Sequence, residues 1–367
     1  MLKFRSVVII LVSLIGLFFT GIFTLFCLND TPPPQKMKKG EQLKHGFNWV
    51  ATAPKALEYG YQRYQLENDK VLYLAEHNTR DGYLFDPFEL EFSKETLSES
   101  RPVFLKHYRI QFGKHILSHT QDINLCPLLY LRINNNEIRH CRQLYNAGDH
   151  LLITGASVFK TDSLYSYTIK NGKTHLLFKA KDGFVPRIAS LPNGKVLLFN
   201  DESVISSNST KQLMSVYEYI SSADELLKIT MLSIPHESPG FRVKALSTGQ
   251  VFILFDSGNA YLFKPLSKSY RYLGKTHSQF SFPSIVELKD HRVLIAAGQI
   301  YKGHIGRPEI FDFTHKKFET FSSTVLPRND AGSFILGNGS VLIIGGQNDE
   351  SSMMDTQSVS EIELFLP

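Results

Sequence analysis

The stretch SFILGNGSVLIIGGQ, Ser333 to Gln347, sets the tight polar turn Gly337-Asn338-Gly339 between two apolar runs, the second of which, Val341 to Ile344, ends in Gly345-Gly346. Two apolar runs joined by a glycine-bearing turn read as a β-hairpin, and an unbroken apolar run of this length reads as a strand buried on both faces. The same phrase recurs upstream. Copies open at Leu66, Leu191, Leu246 and Leu288, and a further copy spans Leu144 to Leu152 with one extra residue. Gly194, Gly249 and Gly339 all take the fourth position, where a turn with positive φ favours glycine.

A short aromatic strand follows each copy: Tyr83 to Asp86, Leu164 to Tyr167, Val216 to Tyr219, Ala260 to Phe263, Ile310 to Phe313 and Ile362 to Phe365. Beyond a turn comes a fourth strand, clearest in Lys317 to Phe321 and Ser269 to Leu273. Four antiparallel strands per repeat make a propeller blade. With its leucine, glycine turn, apolar run, glycine pair and aromatic-Asp strand, the unit resembles the kelch repeat, most clearly over Phe282 to Phe321 and Ser333 to Phe365. The family's double glycine stands intact at Gly345-Gly346, is reduced at Ala297-Gly298 and Thr154-Gly155 and is lost at Phe199-Asn200, while Phe, Tyr or Leu replaces its fourth-strand tryptophan.

The resemblance covers about 47–367 and implies an all-β, kelch-like β-propeller. Seven four-stranded blades are expected if Gly113 to Leu117 marks a degenerate unit between Phe92 and Cys141; six with an inserted stretch is the alternative. The chain ends with its last blade one strand short. Phe47-Asn48-Trp49-Val50 is the expected supplier, closing the ring between the two ends of the chain and removing two exposed edges.

Composition agrees with a large β structure: 43% hydrophobic and 12% aromatic residues are ample for a core and favour strands. The net charge of +5 is concentrated at one end, since Lys3, Arg5, Lys36, Lys38, Lys39 and Lys44 against Asp30 and Glu41 carry +4 of it. A nearly neutral body argues against nucleic acid as a partner. Val7 to Leu28 is an apolar run long enough to cross a bilayer, and bulky Phe26 before Cys27 suits neither a cleaved signal peptide nor lipidation. Residues 1–28 are therefore read as a transmembrane signal-anchor, 29–46 as a Pro/Lys-rich linker, and the protein as single-pass with an extracytoplasmic propeller.

Ligands of kelch-like propellers usually bind on the face bearing the loops between second and third strands and between blades. Arg187, Arg242 and Arg328 each lie just before a first strand there, and a guanidinium fork suits a carboxylate or sugar acid, although arginines at blade junctions also tie neighbouring blades through carbonyls. His304 and Arg307 lie in the Gly-flanked loop Lys302 to Arg307, which reads either as a contact loop or as a solvated turn, and Asn329-Asp330 either orients Arg328 or forms an Asx-type turn. No catalytic set, metal site or cofactor motif emerges. His115 and His119 have helical spacing on a segment that reads as a strand, and Cys126 and Cys141 match no copper-ligand pattern of the galactose-oxidase type. The expected function is a module binding a protein, peptide or glycan; the alternative is a carbohydrate-active enzyme, an oxidase or sugar-acid mutarotase, for which Glu76, Glu202 and His304 are the available acids and bases.

Overall fold

The computed structural model describes residues 46–54, 61–75, 81–97, 103–104, 110–112, 114–116, 140–147, 149–156, 162–179, 186–202, 211–235, 240–280, 282–298, 307–321, 328, 331–348, 357–359 and 361–367. The candidate anchor Val7 to Leu28, its linker up to His45, and Cys126 lie outside them. Among the described residues no helix is long and apolar enough to cross a membrane.

The repeated phrase folds as one unit each time. β1 (Gly46–Thr52) is followed by blade 1, made of β2 (Tyr61–Gln65), β3 (Val71–Ala75), β4 (Asp81–Asp86) and β5 (Glu91–Thr96). After β6 (Val103–Phe104), β7 (Ile110–Phe112) and β8 (His115–Ile116), blade 2 comprises β9 (His140–Ala147), β10 (His150–Ala156), β11 (Asp162–Thr168) and β12 (Thr174–Lys179). Blade 3 is β13 (Arg187–Ser190), β14 (Val196–Asp201), β15 (Lys211–Ile220) and β16 (Glu225–Pro235). Blade 4 is β17 (Phe241–Ala245), β18 (Val251–Phe255), β19 (Asn259–Lys264) and β20 (Ser269–Lys275), and blade 5 is β21 (Ser284–Glu287), β22 (Val293–Ala296), β23 (Glu309–Asp312) and β24 (Lys317–Thr320). β25 (Gly332–Ile335) and β26 (Val341–Ile344) open blade 6, the short pair β27 (Gln347–Asn348) and β28 (Gln357–Ser358) decorates their exit, and β29 (Glu361–Leu366) follows. Each of these blades is an antiparallel sheet with its strands in chain order, except the last, whose order is β1-β29-β26-β25.

The turn between first and second strands explains the repetition. In five copies the leucine N–H donates to the carbonyl four residues on, at 2.7 to 2.9 Å, and the fourth residue's N–H returns to the leucine carbonyl. That fourth residue has positive φ whether it is glycine (Gly194, Gly249, Gly339) or not (Asp69 and His291, both 66°). An Asn or Asp side chain at the third position accepts from the fifth N–H in four of them, as with Asn193 and Lys195 at 3.1 Å. The leucine then turns inward: Leu66, Leu191, Leu246, Leu288 and Leu336 are all buried. The aromatic-Asp ending of a third strand has a similar local cause, because Asp86 and Asp312 accept the N–H groups of Phe88 with Glu89 and of Thr314 with His315.

Apolar second strands are sandwiched between neighbouring blades, which is why Val251–Phe255 is buried throughout. Among the described residues five inter-blade cores join blades 2 and 3, 3 and 4, 4 and 5, 5 and 6, and 6 and 1. First strands neighbour first strands, so β9, β13, β17, β21 and β25 form the inner wall.

Six blades stand where seven were expected. The region between Phe92 and Cys141 supplies β6, β7 and β8, a three-stranded sheet of two- and three-residue strands, instead of a further blade. Strands that short cannot bury an apolar run on both faces, and the piece docks on blade 1: Glu67 N–H donates to Ile116 O at 3.1 Å, and Glu95 holds Lys114 at 2.8 Å and His115 at 3.2 Å.

In blade 6, β1 pairs with β29 from Gly46↔Leu366 to Thr52↔Glu361, with an irregularity between Trp49 and Ala51. Phe47 packs on Phe365 at 4.7 Å between ring centres, buried Asn48 donates to Gly46 O at 3.1 Å, and the Trp49 indole N–H donates to Ala51 O at 2.9 Å.

Candidate functional site

The first strands of blades 3, 4 and 5 begin on one face, and the neighbouring turns converge there. Arg187 opens β13, and its Nε donates to Phe241 O at the head of β17 at 3.1 Å, linking blades 3 and 4. Asp256 stands in the tight β18–β19 turn, where its N–H donates to Gly240 O at 2.9 Å. Its carboxylate lies directly on Gly240: a Cβ there would come within 1.8 Å of Asp256 Oδ2, so only glycine lets the carboxylate pack this close. Burial pushes the Asp256 carboxyl above the usual aspartate range, and the guanidiniums of Arg242 and Arg187 oppose that rise without cancelling it. The Arg242 guanidinium also sits 4.5 Å over the ring of Phe282, which is 41% exposed.

One wall of this cluster is the connection from blade 4 to blade 5, described over residues 276–280 and 282–283. Its start is fastened to blade 4 by Thr276, whose N–H and Oγ1 both donate to Gly258 O, at 2.9 and 3.1 Å. It is fastened to blade 5 by Glu309, a fully buried carboxylate that accepts from His277 N–H at 3.0 Å and Ser278 N–H at 2.8 Å and pairs with His277 Nδ1 at 3.1 Å. Arg307 N–H donates to Ser278 Oγ at 3.2 Å, which places the end of the β22–β23 loop against the same wall. These bonds hold the loop that presents Phe282.

The structure thus brings Arg187 and Arg242 together around Asp256 and sets Arg307 at the adjoining wall. Arg328 has a different position from the one its place in the sequence suggests. It is fully buried, with Nη1 on Gly345 O (3.0 Å) and Glu361 O (2.9 Å) and Nη2 on Glu363 (3.1 Å), all within the closing blade. His304 and Asp330 lie outside the described residues, as does Glu76. Glu202 accepts from Tyr217 at 3.0 Å and pairs with Lys228 at 3.5 Å, and a Ser215 hydrogen bond leads the interactions that hold its carboxyl below the usual range, so it is kept ionised. His115 is buried against Glu95.

Asp256 and Phe282 are the residues that sequence reasoning missed. In the sequence the long connections between second and third strands stand out as loops, whereas Asp256 occupies the short one in blade 4. Phe282 reads as one more core aromatic. The signal available was the pattern Asp256-Ser257-Gly258-Asn259, a turn with an acid at its head.

No family model matches the chain, and no curated protein matches its sequence. Among solved structures, a catalytically inactive virginiamycin B lyase from Staphylococcus aureus, in complex with quinupristin, aligns over 88% of this chain and 100% of its own with 9% identity and a TM-score of 0.53. The likeness is one of fold. A fungal alcohol oxidase of the AA5 family, in complex with copper, aligns over 88% of this chain and 77% of its own at 11% identity with a TM-score of 0.44.

Proposed function

We propose that this protein is a membrane-anchored, kelch-like propeller that binds a protein, peptide or glycan through the face where Arg187, Arg242 and Asp256 meet. The observation that carries the reading is that cluster itself: two guanidiniums bear on one half-buried carboxylate, beside an exposed aromatic ring held by a doubly fastened loop. Excess positive charge next to a ring suits an acidic ligand with a flat or apolar part, such as an acidic glycan or an acidic peptide. The anchor would be Val7 to Leu28, with the propeller outside the cytoplasm. Protease added to intact cells should then digest the propeller.

The test is binding of immobilised acidic and neutral glycans and peptides to the purified protein, with Arg187→Ala and Arg242→Ala compared at equal thermal stability. Selective retention of acidic ligands, weakened about tenfold or more by either substitution, as loss of a charge-assisted contact predicts, supports the reading. Retention that ignores ligand charge or both substitutions refutes it. Asp256 favours one second reading, an enzyme acting on carbohydrate, since a carboxyl raised by burial suits a general acid. Anomer exchange of a sugar acid, lost in Asp256→Asn, would establish that reading over simple binding.

A further inference from the structure

Where blade 6 meets blade 1, buried donors among the described residues are left without acceptors. Arg328 places its terminal nitrogens on the carbonyls of Gly345 and Glu361 and on Glu363, which is itself 1% exposed, but its buried Nε has no hydrogen-bond partner among the described residues. Arg63 reaches across from β2 and lays its guanidinium on Gly345: a Cβ on that glycine would lie 2.2 Å from Arg63 Cζ and 2.5 Å from both terminal nitrogens. Arg63 Cζ is also 6.0 Å from the ring centre of Tyr73 on β3. Arg63 Nε and the Tyr73 hydroxyl are buried and make no well-aligned hydrogen bond among the described residues; the Arg63 guanidinium lies close enough to the phenol oxygen to act on it, which leaves the phenol hydrogen to donate elsewhere.

Two guanidiniums therefore meet at Gly345 with the Tyr73 phenol beside one of them, and among the described residues both Nε donors and the phenol hydrogen lack an acceptor. Each buried donor left unpaired is costly, so an acceptor belongs in this place. A water molecule fits poorly, because it brings two donors of its own and needs acceptors as well. An anion accepts from every side. Burial pushes the Tyr73 phenol well above its ordinary pKa, against Arg63 and Arg328, which keeps its hydroxyl a donor. Arg63 is only partly buried and offers a way in from solvent.

We propose that the junction of blades 6 and 1 binds a small monoanion, a carboxylate group or chloride, held by Arg63, Tyr73 and Arg328. This site is separate from the Arg187, Arg242 and Asp256 cluster and does not depend on it.

The experiment follows the thermal midpoint of the full chain in detergent as sodium acetate, and in a second series sodium chloride, is raised. It compares the unaltered protein with Tyr73→Phe and Arg63→Gln, which keep the ring and most of the stem and so leave the fold intact. Salt effects common to all three chains cancel. The expected result is a midpoint that rises and saturates in the unaltered protein, with the half-saturating concentration about tenfold higher in each variant. The series that saturates at lower concentration identifies the preferred anion. A midpoint that responds linearly or not at all, or three chains that respond alike to both salts, overturns the proposal.

Discussion

Gly345 shows how much one missing Cβ decides. Its φ is +65°, and the space a side chain would take is filled by the Arg63 guanidinium. Gly345→Ala should therefore cost about 3 kcal/mol, combining backbone strain with displacement of the partly buried Arg63 guanidinium. Gly249→Ala, with φ +75° but nothing within 4 Å of the added carbon, should cost only about 1 kcal/mol. Denaturant midpoints of the two variants separate these contributions. Glu363→Gln leaves Arg328 buried without its counter-charge and should destabilise by ~3–5 kcal/mol, while Arg328→Met with Glu363→Gln should recover much of that loss. Asp256 gives the pH prediction. Its carboxyl is raised in the folded state, so the fold binds that proton more tightly than the unfolded chain does. The resulting penalty is absent below the ordinary aspartate value of 3.8 and grows as pH rises through the elevated pKa. Asp256→Asn should therefore be more stable than the unaltered protein at neutral pH and indistinguishable from it at pH about 3, by thermal melts across that range.

At the scale of elements, β1 matters because of where it pairs. β29 lies between β26 and β1, and removing residues 46–52 would expose its hydrogen-bonding edge, take Val50 and Ala51 out of the core between blades 6 and 1 and uncover their neighbours there. That deletion should lower the thermal midpoint by on the order of 10 °C, given the apolar area and ladder bonds lost. Leu266→Ser, at a fully exposed residue of the β19–β20 turn, should change stability by less than about 0.5 kcal/mol. Equal effects would show that β1 is an ornament. The turns on the opposite face add ties between blades: Gly337 N–H donates to Asp69 at 2.6 Å, Lys289 Nζ donates to Gly337 O, and Ser247 donates to Glu287 at 2.7 Å.

For the whole molecule, six blades leave first strands lining the interior and one face carrying the Arg187, Arg242 and Asp256 cluster. Whether that face looks away from a bilayer depends on residues 1–45. A chain beginning at Gly46 should appear in the soluble fraction, whereas the full chain should sediment with membranes until detergent releases it. Full chain that stays soluble without detergent would remove the anchor from the proposal.

Much of the fold was legible because each blade is built from local chemistry. Leu246, a turn with Gly249 at positive φ, and the apolar run after it specify a hairpin wherever they stand, and six such phrases specify six blades. The seventh expectation failed at Gly113 to Leu117, where a local phrase resembles the others but lacks the apolar length to be buried on both faces. Sites depend on contacts between distant residues. Nothing local distinguishes Arg328, spent inside the closing blade, from Arg187 and Arg242, whose charges act on the Asp256 carboxylate. Repetition along the chain determined the blades, because turns and strand burial are short-range. The curvature that stacks blade on blade decided which arginines meet Asp256 and which meet Glu363, because only the closed ring brings those side chains together.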